Sequence, residues 1–93
     1  MSYKIVIERK AQKEADNIPV KYRNAIDKQI LSLTNNPRPP NCKKLTEKEG
    51  YRIRVGSYRV LYTIDDQSKI VVIYRIKTKT ESTYKQHEKD TEN

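Results

Sequence analysis

Arg52, Arg54 and Arg59 form the pattern in this sequence that points most directly to a reaction. Arg52 and Arg54 alternate along one predicted strand, and Arg59 follows a glycine turn in the next. Guanidinium groups suit phosphate oxygens, because their parallel N–H donors match the spacing of two oxygens. A phosphate held between opposed arginines would convert their mutual repulsion into a binding site. The alternative is that the arginines extend into water, where salt screens the repulsion.

The predicted turn at Gly56-Ser57 fixes how these strands pair. A two-residue loop with glycine first is typical of a type II′ hairpin, and it sets Arg54 opposite Arg59. Strand alternation then separates two faces. We predict a basic face with Arg52, Arg54 and Arg59, and an apolar face with Tyr51, Ile53, Val55, Tyr58 and Val60.

Further cations follow in the next predicted strand, where Arg75, Lys77 and Lys79 alternate onto one side. Whether that side is the basic face depends on a one-residue choice in the loop at 65–68, so both registers stay open. Beyond it, Tyr84 and His87 have the i, i+3 spacing that brings two side chains together on a helix. His87 is better explained as a solvated residue of a loose tail, and residues 85–93 are expected to fray.

The elements that must position these residues follow in a simple order. A strand at 3–8 and a helix ending at Asp16 precede a second helix, which begins at Pro19 and ends before Asn35. A proline-rich and then charged connection at 37–49 leads to a three-stranded antiparallel meander and a short C-terminal helix. The predicted fold is one α+β domain spanning 1–93, an antiparallel sheet packed on a helical hairpin. The apolar face of the second helix is predicted to contain Tyr22, Ala25, Ile26, Ile30 and Leu33.

Composition narrows the class of partner. Lys and Arg number 20 against 12 Asp and Glu, so the net charge is +8. Such a domain is drawn to nucleic acid, an anionic membrane or an acidic protein, although charge also serves solubility alone. No apolar run suggests a membrane span or a signal peptide, so we predict a cytoplasmic protein. One cysteine, Cys42, and one histidine predict no disulfide, no metal site and no cofactor.

The run YRIRVGSYRVLY at 51–62 resembles the signature of the RelE/ParE toxins of type II toxin–antitoxin systems. Asn36-Pro37-Arg38-Pro39 and Lys44-Leu45 add to the resemblance, which covers residues 3 to about 84. It implies a RelE-like β-α-α-β-β-β fold. The RelE-like branch implies a ribosome-dependent mRNA endoribonuclease, neutralised by a cognate antitoxin in a hetero-oligomer. A ParE-like inhibitor of DNA gyrase without nuclease activity is the alternative, and a non-toxic nucleic-acid-binding relative is a third.

The resemblance also implies roles for individual residues. Arg52 and Arg54 match two basic positions of one strand, Arg59 matches the arginine that holds the scissile phosphate, and Tyr84 matches a tyrosine that stacks at the cleavage site. RelE-type enzymes often have lysines at positions 52 and 54, and arginine is a poor general base. Candidates for proton transfer are Tyr84, His87 and Glu49. Further RNA contacts are predicted for Arg75, Lys77, Lys79 and His87.

Overall fold

The computed structural model describes residues 2–46 and 48–78. The predicted C-terminal helix, with Lys79, Tyr84 and His87, lies outside the described residues. Five strands and two helices are formed within them, namely β1 (Lys4–Ile7), α1 (Arg9–Asp16), α2 (Val20–Ser32), β2 (Cys42–Lys44), β3 (Tyr51–Val55), β4 (Tyr58–Asp65) and β5 (Ile70–Thr78).

The strands form one sheet in the order β1-β5-β4-β3-β2. The meander of β3, β4 and β5 is antiparallel, as predicted. The prediction of a wholly antiparallel sheet was wrong for β1, which runs parallel to β5. A parallel neighbour needs a long crossover connection, and the chain from α1 through β4 provides one.

Strand β2 lies in the connection that we predicted to be irregular. Cys42, Lys43 and Lys44 pair with Ile53, Arg52 and Tyr51 of β3. Gly50 closes this hairpin, since its carbonyl accepts a hydrogen bond of 2.9 Å from the Leu45 N–H. Its φ of 122° favours glycine, and a Cβ added here would lie only 2.9 Å from the Tyr62 carbonyl oxygen. Both constraints restrict this position to glycine.

The helices cover one face of the sheet, with α1 against β5 and α2 against β3. Ile26, Ile30 and Leu33 of α2 are buried as predicted, but Tyr22 and Ala25 are exposed. The buried stripe is narrower than predicted, because α2 contacts the sheet along one side only. The Tyr22 ring instead packs against Tyr58, with 6.1 Å between ring centroids. The sheet's contribution to the core is Ile53, Val60, Tyr62, Val71, Ile73 and Ile76.

A polar cluster around Arg38 fixes the connection after α2. The Arg38 Nη atoms donate to both carboxylate oxygens of Asp66 at 2.9 and 3.2 Å, and Nε donates to the Tyr51 hydroxyl at 3.1 Å. The Tyr3 hydroxyl donates to the same carboxylate at 2.7 Å. Hydrogen bonds from Arg38 and Tyr3 lower the pKa of Asp66 to about 2. The cluster therefore joins the start of the chain, the connection and the β4–β5 turn.

Tyr62 also fixes the connection that follows α2. Its side chain is fully buried, and its hydroxyl donates a 2.8 Å hydrogen bond to the Pro37 carbonyl. Burial raises the pKa of Tyr62, so the hydroxyl stays a donor throughout the ordinary pH range. Neither α1 nor α2 has the length and apolar character that crossing a membrane would require.

Truncation of the core should separate buried from exposed positions on α2. Ile30→Ala and Val60→Ala should each lower the free energy of unfolding by about 1–4 kcal/mol, because each removes buried aliphatic contacts. Leu31 is the matched control, since it neighbours Ile30 but is 67% exposed. Leu31→Ala should change stability by less than about 0.5 kcal/mol in urea denaturation. Equal losses at positions 30 and 31 would contradict this packing.

The Arg38–Asp66 pair should make the free energy of unfolding depend on pH in the acid range. A lowered carboxyl pKa stabilises the fold above the ordinary value of 3.8, and this contribution is lost as the pH falls towards 2. The stability advantage of the wild type over Asp66→Asn should therefore shrink between these pH values. Arg38→Gln should remove most of the same pH dependence. An advantage over Asp66→Asn that persists unchanged at pH 2, measured by urea denaturation, would contradict the assignment.

Candidate nucleic-acid interface

Within the part of the chain that the structure describes, six cations of β2 to β5 lie on the sheet face opposite the helices, which we call the basic face. Directly paired residues on neighbouring strands project to the same side of a sheet, so the register assigns the faces. Ile53 and Val60 point into the core, and Arg52, Arg54 and Arg59 therefore point away from it, as predicted. The members of the basic face are Lys43, Arg52, Arg54, Arg59, Arg75 and Lys77.

Three of these cations form a row across adjacent strands. Arg54 is opposite Arg59, and Arg59 is opposite Lys77. The Gly56-Ser57 turn sets the first pairing, and the positive φ of 62° at Gly56 agrees with the predicted type II′ turn. Arg54 is exposed, whereas Arg59 is half-buried with its Nε atom enclosed. Opposed like charges oppose folding, and a bound phosphate would offset that repulsion.

A β-bulge brings Arg75 and Lys77 onto this face. Leu61 pairs with Arg75 but Tyr62 pairs with Ile73, so Tyr74 is the extra residue of β5. Without the bulge, the register set by the β4–β5 turn would place Arg75 and Lys77 on the core side. The one-residue shift that decides the face of Arg75 and Lys77 thus lies within β5 and not in the loop at 65–68.

Arg75 is held by a carboxylate from the first helix. Its Nε donates to Glu14 at 2.8 Å, and the second oxygen of Glu14 accepts the Ile76 N–H at 2.7 Å. The side chains of both partners are largely buried, with 27% and 22% exposed for Arg75 and Glu14. Glu14 therefore offsets the charge of Arg75. It also accepts a backbone N–H on the part of β5 that lies beyond the end of β1.

The second row of the basic face contains Lys43, Arg52, Leu61 and Arg75 in register across four strands. Leu61 is buried at 9% exposure although it is not part of the main core. Its cross-strand neighbours are arginines, whose methylene stems can cover an apolar side chain. Lys43 is exposed at the outer end of the row.

Two residues of this region were missed in the sequence. Lys43 was assigned to an irregular connection, although Gly50 followed by an alternating strand is a hairpin signal. Glu14 lies in the predicted first helix, and no role was predicted for it. It lies beside Ala11, Ala15 and Ile18, which share the buried side of the chain at α1. A carboxylate within such a stripe predicts a cationic partner.

An open depression lies further along the same face, where Thr63 and Val72 form the next paired row. Glu49 is one of the residues that line it, so this candidate for proton transfer is on the same side of the sheet as the basic face. Thr63 is four residues from Arg59, however, which is about 13 Å along a strand. The depression that Glu49 lines is therefore centred away from the row that contains Arg59. The lining is Glu8, Lys48, Glu49, Thr63, Val72 and Tyr74.

Substitutions at Glu14 should show how much this carboxylate contributes to the fold. Glu14→Ala should lower the free energy of unfolding by about 1–3 kcal/mol, because it breaks two charge-assisted hydrogen bonds. Arg75→Ala should lower it less, since Glu14 then still accepts the Ile76 N–H. Asp16→Ala, at an exposed position of the same helix, is the control and should change stability by less than about 0.5 kcal/mol. Urea denaturation measures all three, and a neutral Glu14→Ala would contradict the role.

Solved structures with the same fold are toxins and toxin–antitoxin complexes. The chain matches the RelBE2 toxin–antitoxin complex of Mycobacterium tuberculosis with 26% identity and a TM-score of 0.75, covering 84% of this chain and 99% of that chain. The archaeal RelE–RelB complex of Pyrococcus horikoshii matches with 24% identity and a TM-score of 0.78, over 88% of this chain and 100% of that chain. The predicted RelE-like α+β fold is therefore confirmed.

Sequence comparison agrees with the fold. A curated protein of Methanocaldococcus jannaschii, named "Putative toxin RelE1", is 28% identical over 89 residues, which are 91% of this chain and 98% of that protein. The model of the family described as "ParE toxin of type II toxin-antitoxin system, parDE" matches residues 5–82. The chain is thus a member of the ParE toxin family of type II toxin–antitoxin systems, within the RelE/ParE superfamily.

Proposed function

We propose that this toxin is an endoribonuclease that cleaves messenger RNA on the ribosome and so inhibits translation. The observation that carries the proposal is the row of Arg54, Arg59 and Lys77 across three adjacent strands. Paired strands lie about 5 Å apart, so these cations can surround one phosphate group. The proposed substrate is translated mRNA, which places the activity in the cytoplasm.

The reaction proposed at this row is attack of a ribose 2′-hydroxyl on the adjacent phosphate. The O2′–P bond forms and the P–O5′ bond breaks, while the 2′-hydroxyl loses a proton and O5′ gains one. Negative charge grows on the non-bridging oxygens in the transition state. Arg54, Arg59 and Lys77 would stabilise that charge, because fixed cations beside a developing oxyanion need no reorganisation. No metal ion or cofactor is required for this chemistry.

Proton transfer does not fall to the arginines, since guanidinium groups stay protonated. Glu49 lines a depression with Thr63, which is about 13 Å along β4 from Arg59, and this separation makes Glu49 a poor direct base. Among the candidates from the sequence, Tyr84 and His87 lie outside the described residues. We therefore propose that cleavage depends mainly on positioning of the phosphate, with the ribosome fixing the in-line geometry, and that Tyr84 stacks on a displaced base.

The proposed protein partner is a cognate antitoxin. Several structural relatives are complexes of RelE with RelB, including an E. coli RelE variant bound to a RelB peptide. The basic face offers such a partner a site of fixed charge, and an acidic segment would match it. Covering the face would block access of RNA, so one surface would serve both activity and its neutralisation.

Inhibition of DNA gyrase is the second candidate function. The observation that favours it is the match to the ParE toxin family model. One scaffold carries both activities in this superfamily, and cations that bind RNA can also bind DNA or an acidic protein surface. The basic face favours the nuclease, because three cations in one row across adjacent strands suit a phosphate better than an extended protein contact.

Both functions can be tested in one strain that lacks the antitoxin. The protein is induced, RNA 5′ ends are mapped on a message with and without its start codon, and plasmid supercoiling is measured in parallel. We expect cuts within codons of the translated message only. Loss of one oxyanion ligand lowers a rate about 10²–10³-fold, so Arg59→Ala should reduce cutting by that order. Lys28→Ala, an exposed lysine of α2, is the charge-matched control and should cut normally.

Three results would each overturn the proposal in a different way. Intact RNA with relaxed plasmid DNA would identify gyrase as the target. Cutting of untranslated messages would remove the ribosome from the mechanism. A large fall in the melting temperature of Arg59→Ala would show that Arg59 is a structural residue and that its loss of cutting reports unfolding.

A further inference from the structure

The second row of the basic face contains a directly opposed pair of cations at its outer end. Lys43 of β2 is paired with Arg52 of β3, and both project away from the core. Within residues 2–46 and 48–78, Lys43 takes part in no ion pair. Arg75, the other cation of the row, is separated from this pair by Leu61 and is bound to Glu14. Lys43 and Arg52 are therefore the two cations of the row that face each other directly.

We propose that Lys43 and Arg52 form a second phosphate subsite, which holds the RNA phosphate next to the one at Arg54 and Arg59. This inference rests on the proposed nuclease function and adds the direction in which the RNA strand crosses the sheet. Arg52 and Arg54 are two residues apart on β3, which is about 7 Å along a strand. Neighbouring phosphates of a single strand can span that separation. The RNA backbone would then run along β3 from the first row to the second.

The register also explains why the subsite takes a phosphate and not a base. Lys43 and Arg52 present only cationic groups, whereas the apolar Leu61 lies next in the row and is already buried. Lysine is a compact point charge with a flexible stem, and arginine supplies a planar fork. Together they suit an anion that must be held without selection for sequence, as a translated message of any codon would require.

The presence of Lys43 on an edge strand has a competing explanation. Strand β2 is at the edge of the sheet, and lysines on an edge strand hinder pairing with another chain. Lys44 shares the edge position and the charge, but it is paired with Tyr51, which packs against the core on the helix side. Lys43 and Lys44 therefore form a matched pair: both protect the edge, and Lys43 alone belongs to the basic face.

The test compares Lys43→Gln with Lys44→Gln. Each purified variant is titrated onto a fluorescent single-stranded oligoribonucleotide at several salt concentrations, with anisotropy as the readout. Each phosphate contact contributes about 0.7 to the slope of log affinity against log salt concentration for single strands. We expect Lys43→Gln to lower the slope by about that amount and Lys44→Gln to leave it unchanged. Arg52→Gln should lower the slope too, and adding Lys43→Gln to it should have less effect than in the wild type.

The outcomes separate the subsite from the proposed function. Equal slopes for Lys43→Gln and Lys44→Gln, in a protein that binds RNA, would overturn the subsite and leave the nuclease proposal intact. A wild-type protein without salt-dependent RNA binding would overturn the subsite, whereas intact translated messages in the induction experiment would overturn the nuclease proposal as well. Aggregation of both variants to the same extent would show that both lysines protect the edge strand. The salt slopes would then be measured on the remaining monomer, and equal slopes for the two variants would overturn the subsite.

Discussion

A shift of one residue in the pairing of β4 with β5 determines which side chains lie on the basic face. Before the bulge at Tyr74, Val71 and Ile73 point into the core; after it, Ile76 does. The same shift moves Arg75 and Lys77 to the basic face. A strand without this shift would bury two cations and expose an isoleucine, which a small core could not tolerate. The need to bury apolar side chains in the core thus fixes Arg75 and Lys77 on the basic face.

The two sides of the sheet consequently meet opposite requirements. One side carries almost all of the apolar core, formed with α1 and α2. The other side opposes Arg54 to Arg59, Arg59 to Lys77 and Lys43 to Arg52, so that like charges face each other at each of these pairings. Glu14 offsets the charge of Arg75 at the end of the basic face nearest the helices. A surface that sets cation against cation across three strand pairs is suited to an anion that bridges them.

The Arg38 cluster adds rigidity where the hairpin of β2 and β3 begins. Bonds from Arg38 to Asp66 and Tyr51, and from Tyr62 to the Pro37 carbonyl, connect the proline-rich segment to two strands. Lys43 and Arg52 are in the hairpin that follows this segment. A fixed connection keeps β2 in register, and the proposed second phosphate subsite requires that register. The residues that resemble the family signature at 36–39 therefore act through structure, by holding the strand that carries a cation.

Local rules were enough to predict the hairpin at Gly56-Ser57, the pairing of Arg54 with Arg59 and the separation of basic from apolar residues, because turn type and strand alternation operate over a few residues. The bulge was not predicted, although the spacing of three between Ile73 and Ile76 interrupts the alternation and was a visible sign. The parallel pairing of β1, the strand at Cys42–Lys44 and the contact of Glu14 with Arg75 join residues far apart in the chain or depend on a neighbouring strand. Such pairings are chosen by the packing of the whole domain, since a three-residue strand or a lone carboxylate has too little local preference to select its own partner.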